Sequence, residues 1–477
     1  MIYIVVIGLV MAVLLAVTIL KAVQIRNHTD FLVAGRKLPW PVLVFTLLSS
    51  WIGAGSLFAG GENAYLHGFA ALWQPAGGWL GLLVIWGIAG RARRFAQFTV
   101  PDLLETRYNT AARVLSTLAI VIAYTVITSY QIKAGGDILH LLFPSLDRAT
   151  GMYFIAFFVI VFTAAAGMAS VAYLDLVIGT MVTAIVIVSV PVLLHTTGGW
   201  EAVRRSLPAS HFQVLGDLSL SQALGFTLPT MLLLIGNQGM YQKFFSARSE
   251  RDAKYAVRGW IVGTLVLETL IVTTAVLGSA RFHPANPREI IPTTARLGLP
   301  AVLGALLLGG VFAKIISTAN NYLFSPASNI IHDVYQRFIN PRASERRTLI
   351  VSRVVVVLLG IFALLQAAQF ESILRAALYA YTVYGTAVTP AVMAVFFWKR
   401  TTTAGAICSI ALGTVITVVW NVANVQLMDA VYPALATSLI SLIAVSLLTP
   451  PPPEAKWRPF FDEERTHAAR IDSAVSH

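Results

Sequence analysis

Apolar runs of about twenty residues recur along the whole chain, separated by short polar stretches. They fall near 1–20, 39–63, 69–90, 112–131, 151–168, 172–194, 223–242, 259–280, 299–325, 349–367, 374–397, 403–424 and 430–449. A helix needs about 20 apolar residues to cross the hydrocarbon core of a bilayer, so the pattern predicts thirteen membrane spans. The connections leave no room for a soluble domain. Residues 1–450 read as a single transmembrane domain of the all-α integral membrane class, and 451–477 as a short tail beginning within the run Pro450-Pro451-Pro452-Pro453. A tail of that length is too small to hold a separate folded output domain.

The basic residues that flank the first run, Lys21 and Arg26, follow it rather than precede it. A secretory signal has the opposite order, so the run is expected to stay as a helix with the N-terminus outside. With that topology, loops expected inside, the C-terminal tail included, carry roughly three times the Lys and Arg of those expected outside, as the positive-inside rule requires.

Composition sharpens this picture. The chain is 57% hydrophobic and 12% charged, with a mean hydropathy of +0.74. A soluble chain carries about 25% charged residues, so lipid takes the place of much of the solvated surface. The net charge of +12 follows from basic residues such as Arg91, Arg93, Arg94, Arg346 and Arg347, placed where anionic headgroups attract them. The expected partner is therefore the bilayer of the cell membrane, with no nucleic acid and no obligate protein partner. The single cysteine, Cys408, lies in an apolar run and has no intramolecular disulfide partner. The glycosylation-like triplet Asn27-His28-Thr29 falls on the side expected to be cytoplasmic and reads as an accidental match. No phosphate-binding Gly-x-x-x-x-Gly-Lys-Ser/Thr loop and no His-Glu-x-x-His motif occur, which argues against ATP-driven pumping and intramembrane metalloproteolysis; the chain is not expected to be an enzyme. The histidines are scattered, mostly at loops, as at His67, His211 and His283.

Two spans look interrupted. The second contains Ser49-Ser50-Trp51-Ile52-Gly53-Ala54-Gly55-Ser56, then Gly60-Gly61-Glu62-Asn63, and the seventh contains Gly236-Asn237-Gln238-Gly239 before Tyr241 and Gln242. Each Gly weakens a helix by about 0.8–1 kcal/mol relative to Ala. Backbone polar groups freed in a membrane have to be buried in protein or line a cavity. The breaks lie five spans apart, the spacing of two five-helix repeats of inverted topology, with repeat one over about 39–194 and repeat two over about 223–397. In transporters built this way, solute and coupling ion bind near the midplane between discontinuous helices.

Charged residues inside spans are costly and point to function. Asp175, Glu268 and Lys314 lie within predicted spans, and Ser317 and Thr318 follow the lysine by three and four residues, on the same helical face. Hydroxyls on such a face, together with carbonyls released by a break, are the hard oxygen ligands an alkali cation prefers.

These motifs in order resemble the sodium/solute symporter family of proline, sialic acid and sugar symporters. The resemblance covers about 30–400. It runs through Asp30-Phe31-Leu32-Val33-Ala34-Gly35-Arg36, Ser50-Trp51-Ile52-Gly53-Ala54-Gly55-Ser56, the segment from Thr99 to Tyr108, and Tyr173-Leu174-Asp175. Its most specific part is the segment from Asn237 to Arg248, followed by Ser317-Thr318-Ala319-Asn320 and Phe397-Trp398-Lys399-Arg400.

The resemblance implies a LeuT-type fold and sodium-coupled symport of a small organic solute such as an amino acid, sugar, carboxylate or amine, with sodium as coupling ion and no other cofactor. It places the main sodium site at carbonyls near Ser49 and Ile52, the carbonyl of Lys314, and the hydroxyls of Ser317 and Thr318. Asp175 matches an acidic position some members use for a second cation, though Asn320 replaces an Asp of the family. Implied solute contacts are Trp51, Gly53, Ser56, Gln74, Asn237, Gln238, Tyr241 and Tyr381, with Tyr379 and Tyr384 nearby.

Lys314 stands where the family usually has a small residue. One alternative has its ammonium replacing sodium, paired with Asp175 or Glu268, in a proton-linked or cation-independent transporter. Another has only its carbonyl at the site while the side chain snorkels to the interface. A non-transporting membrane sensor on the same fold is a further alternative.

Overall fold

The computed structural model describes residues 2–22, 33–95, 97–165 and 168–461. The triplet at Asn27, the start of the first family motif at Asp30 to Leu32, and the tail beyond 461 lie outside the described residues. Among those described the chain is all helix, with one isolated bridge pairing Leu38 and Ala247.

Helix α1 (Ile2–Ala22) precedes α2 (Trp40–Trp51) and α3 (Gly60–His67), which a five-residue π stretch (Gly55–Ala59) leads into. Then come α4 (Trp73–Phe95), a short loop helix α5 (Val100–Arg107), α6 (Thr110–Leu142), α7 (Arg148–Ala165) and α8 (Met168–Thr196). The seventh predicted span is split into α9 (Leu220–Gly236) and α10 (Gln238–Ser246). After α11 (Glu250–Ser279) follow α12 (Ala301–Asn329), α13 (Glu345–Ala367), α14 (Ile373–Ala387) and α15 (Thr389–Phe397). The chain closes with α16 (Thr403–Val422), α17 (Val431–Leu448) and α18 (Glu454–Phe461).

Eleven helices among the described residues are long and apolar enough to cross a membrane, against thirteen predicted spans. The first break accounts for one difference. It leaves α2 short, and the second half of that predicted span runs on through α3 into α4. The other is α1, whose described apolar part, Ile2–Val17, is also short.

While α8 lies between α2 and α12, helices α4, α9 and α11 pack in one group, with α2 against α11, and α6, α7, α12 and α13 pack in another. Helix α14 bridges them, touching both α9 and α6. On the lipid side the usual soluble pattern is reversed, with large apolar side chains facing out. On α13 the large side chains Ile350, Val354, Leu358, Ile361 and Leu365 face outward, while Ser352, Gly360, Ala363 and Ala367 face the protein. With lipid outside there is no water to expel, and small residues let helices approach closely. A Cβ on Gly360 would sit 2.3 Å from Ile160 of α7, so only glycine admits this crossing.

The tail is not wholly separate from the bundle. Arg91 donates at 2.8 Å to the carbonyls of both Phe396 and Phe460, and the Phe460 ring on α18 stacks on Phe95 at 4.3 Å. The start of the predicted tail is thus a helix docked on the ends of α4 and α15.

Candidate functional site

Helix α2 ends at Trp51, and Ile52 adopts an extended conformation (φ −83°, ψ 102°). The carbonyls of Ser49 and Ile52 then lack helical partners and turn toward α12, where Thr318 Oγ1 donates to them at 3.1 and 3.3 Å. Ser49 Oγ and Ser317 Oγ lie 3.3 Å apart. Gly53 makes this approach possible, since a Cβ there would sit 2.6 Å from Thr318 Oγ1. The structure therefore gathers Ser49, Ile52, Ser317 and Thr318 into one buried cluster of carbonyl and hydroxyl oxygens. Thr318 Oγ1 has lone pairs to offer once its proton rotates away.

Asp175 on α8 is fully buried beside this cluster. Its carboxylate accepts from Ser317 Oγ, from Thr46 Oγ1 at 2.5 Å and from Asn321 Nδ2 at 3.3 Å. Asn321 Oδ1 in turn accepts from Lys243 Nζ at 2.7 Å. Thr46, Asn321 and Lys243 are absent from the sequence-derived site, yet their spacing carried a signal. Positions 314, 317, 318 and 321 continue one face of α12, and 46 lies one turn before 49 on α2.

Lys314 does not snorkel. Its side chain is fully buried, its Nζ has no hydrogen-bond partner, and Asp175 is the charge within its electrostatic reach. Glu268, the other suggested partner, is engaged elsewhere: its Oε1 accepts from Trp51 Nε1 at 2.9 Å and Ser56 Oγ at 3.1 Å. Asn320, where the family has an acid, accepts from Thr163 Oγ1 at 2.9 Å.

Behind the first break lies a narrow cavity of about 20 Å³, lined by Trp51, Ser56, Gln74, Thr230, Glu268 and Tyr381 among others. Such a space holds roughly one water, so it has to widen before a solute enters. Four of the eight expected solute contacts, Trp51, Ser56, Gln74 and Tyr381, line it. Tyr381 and Tyr130 pair their hydroxyls at 3.3 Å, and Tyr381 rests against Gly55, where a Cβ would sit 2.4 Å from its hydroxyl.

The remaining four are placed differently. Gly53 faces Thr318 rather than the cavity. Asn237, at the second break (φ −53°, ψ 111°), accepts from Tyr124 Oη at 2.9 Å and donates to Tyr322 Oη at 3.1 Å. Gln238 Oε1 accepts from Val100 N at 2.5 Å, binding α10 to the loop helix α5. Tyr241 is buried against Phe244 and Phe245. Tyr384 bridges the break itself, donating to Gly236 O at 2.5 Å and accepting from Gln238 N at 2.9 Å. Tyr379 lines a separate, larger cavity of about 540 Å³ with Arg375 and Asp429.

Helix α5 is braced by ion pairs from Asp102 and Glu105 to Arg113, which also reaches Asp333 at 3.6 Å. Burial pushes the Asp102 carboxyl up, but hydrogen bonding to His332 and the charge of Arg113 outweigh it and hold the group below the usual carboxylate range.

Comparison with known proteins agrees with this architecture. The profile described as the sodium:solute symporter family matches residues 31–413. The chain belongs to the sodium:solute symporter family. Curated relatives include the high-affinity proline transporter PutP of Bacillus subtilis, 27% identical over 92% of this chain and 97% of the relative. The sodium/proline symporter of Haemophilus influenzae is 25% identical over 95% of this chain and 96% of the relative. Among solved structures, a Na+-coupled sialic acid symporter in a substrate-bound outward-open state superposes with a TM-score of 0.80 at 16% identity, covering 94% of this chain and 98% of that one. MhsT in complex with L-phenylalanine gives 0.52 at 15% identity, covering 86% and 99%. At these identities the likeness defines the fold, the LeuT-type bundle expected from the sequence. The protein is a multi-pass integral membrane protein of the cell membrane, and its relatives are transporters.

Proposed function

We propose that this protein carries a small organic solute across the membrane together with sodium, by alternating access. The observation that supports this best is the double use of one unwound segment. Residues 49–53 present carbonyls to the α12 hydroxyls on one side, while Trp51 in the same segment forms a wall of the cavity. A cation that draws those carbonyls into its shell also fixes Trp51, and a solute held against Trp51 fixes the carbonyls. Linkage then requires each ligand to raise the affinity of the other equally.

In this reading sodium binds among the carbonyls of Ser49, Ile52 and Lys314 and the hydroxyls of Ser317 and Thr318, with Asp175 alongside. Repeat one spans about 39–194 and repeat two about 223–397. The chain crosses thirteen times, N-terminus outside and C-terminus inside, and the group of α2, α4, α9 and α11 rocks against that of α6, α7, α12 and α13. One charge moving through 100 mV yields about 2.3 kcal/mol. With about 1.4 kcal/mol per factor of ten, a single ion concentrates a neutral solute roughly forty-fold. Proline, the cargo named for several relatives, is the first solute to test.

One observation favours a second reading. The Lys314 ammonium is buried without a hydrogen-bond partner and shares Asp175 with Lys243. An ammonium fixed there takes the place of the ion, which makes transport proton-linked or cation-independent. Titrating sodium against potassium at constant ionic strength, while following tryptophan fluorescence in the wild type and in Lys314→Ala, separates the two. A saturable sodium-selective change in the wild type is the expected result. A response that emerges only in Lys314→Ala assigns the cation's place to the lysine.

A further inference from the structure

The cavity behind the first break contains an acidic side chain that no basic residue lining it balances. Glu268, on α11, is 5% exposed and lines this cavity. Its Oε1 is oriented by Trp51 and Ser56, whereas Oε2 is buried with no hydrogen-bond partner. The Trp79 indole nitrogen also approaches the carboxylate, outside hydrogen-bond geometry. All these donors are neutral. They aim the carboxylate without neutralising it. Among the described residues lining the cavity there is no Lys, Arg or His. The buried lysines of the bundle, Lys243 and Lys314, interact instead with Asp175.

A carboxylate left unpaired at membrane depth is costly, and such groups pair with a counter-charge when the protein is at work. A second buried acceptor lines the same cavity, since Gln74 Oε1 also lacks a partner. One negative oxygen and one amide oxygen, both short of donors, match a cationic group that carries at least two N–H bonds.

We infer that Glu268 and Gln74 recognise a protonated primary or secondary amine, so that the transported solute is a small ammonium compound or zwitterionic amino acid, not a neutral sugar or a nitrogen-free carboxylate. The inference rests on the reading of this cavity as the solute site. Hydrogen bonds from an ammonium to a carboxylate are charge-assisted and roughly twice as strong as neutral ones. The aromatic walls Trp51 and Tyr381 accept a cation as well.

The test uses detergent-purified protein in saturating sodium, with thermal unfolding read against a set of probes: L-proline, other small amino acids and amines, glucose, lactate, and tetrahydro-2-furoic acid. The last replaces the ring N–H of proline by oxygen. Stabilisation by one or more N–H ammonium probes and by none of the others is expected, with affinity weakened at least about tenfold in Glu268→Gln, which keeps the acceptor for Trp51 and Ser56. Stabilisation by glucose or lactate, a furoic acid analogue as effective as proline, an undiminished amine affinity in Glu268→Gln, or no response to any amine would each overturn the inference. The wild-type contrast between the ammonium probes and the probes without an N–H ammonium decides the matter even if the variant fails to fold. Sodium titration in the same preparation keeps the two levels apart: loss of the sodium response counts against sodium coupling, whereas the amine series alone judges the role of Glu268.

Discussion

At the first helix break the chain leaves α2 at Ile52 and offers two carbonyls to a single threonine hydroxyl on another helix. At the second it leaves α9 at Asn237, where Tyr384 spans the gap and Tyr124 and Tyr322 occupy both ends of the asparagine amide. The two breaks look alike in sequence, each a cluster of small and polar residues inside an apolar run. Their partners differ in kind. A threonine hydroxyl gives up its donated bonds by rotating about one torsion, which frees the carbonyls of the first break for the cation proposed above. The second is locked by three rigid aromatic side chains, each fully or almost fully buried. The difference suggests a division of labour, with ligands bound at the first break and the second held as a strut.

The largest effect expected from this contrast is at Gly53. Even Gly53→Ala places a Cβ 2.6 Å from Thr318 Oγ1 and 2.8 Å from its Cβ, which forces the two elements apart. Overpacking of this kind costs about 1–3 kcal/mol. Sodium-driven uptake into proteoliposomes should therefore fall roughly ten- to hundredfold. Uptake within twofold of wild type would mean that the carbonyl–hydroxyl cluster is not the ion's place.

A smaller effect is expected at Gly55, with a built-in control. Gly55→Ala drives a methyl to 2.4 Å from the Tyr381 hydroxyl, the group nearest to it. Tyr381→Phe removes that oxygen and leaves the ring carbon Cζ at 3.7 Å, an ordinary contact. The double variant should recover much of the solute affinity lost in Gly55→Ala, a coupling of about 1 kcal/mol between touching residues. Losses that simply add would place the Gly55 effect in the backbone rather than against the tyrosine.

Much of this was legible in the chain because lipid imposes a strict grammar. Long apolar runs fixed the helical class, and Ser317 and Thr318 shared a face by arithmetic alone. The oxygen cluster followed from those residues and from the family resemblance. What escaped the sequence depended on the direction of side chains across the bundle. Asn237 and Gln238 sit in the most specific motif and read as solute contacts, yet the Asn237 amide is engaged by Tyr124 and Tyr322 and the Gln238 carbonyl by Val100, partners 85 to 138 residues away. Glu268 was visible as a costly intramembrane charge, but only the structure turns it into the cavity beside Trp51. The span count differed for a local reason: a broken helix does not end where its hydropathy does, and α3 runs on into α4.

The smallest effect tests the strut. Tyr384→Phe deletes the hydroxyl that donates to Gly236 O and accepts from Gln238 N, leaving both backbone groups buried with one partner fewer. Hydrogen bonds of this kind contribute about 0.5–1.5 kcal/mol each, so thermal unfolding should shift down by a few degrees. Sodium affinity should be unchanged, because the hydrogen bonds of Tyr384 go to Gly236 and Gln238 at the second break. Asn237→Ala should follow the same pattern, loosening Tyr124 and Tyr322 together and lowering stability more than it weakens solute binding. A sequence-only reading of Asn237 as a solute contact predicts the reverse order, with affinity falling first and stability spared. Measuring both quantities on the one variant therefore decides whether the second break holds a ligand or holds the protein.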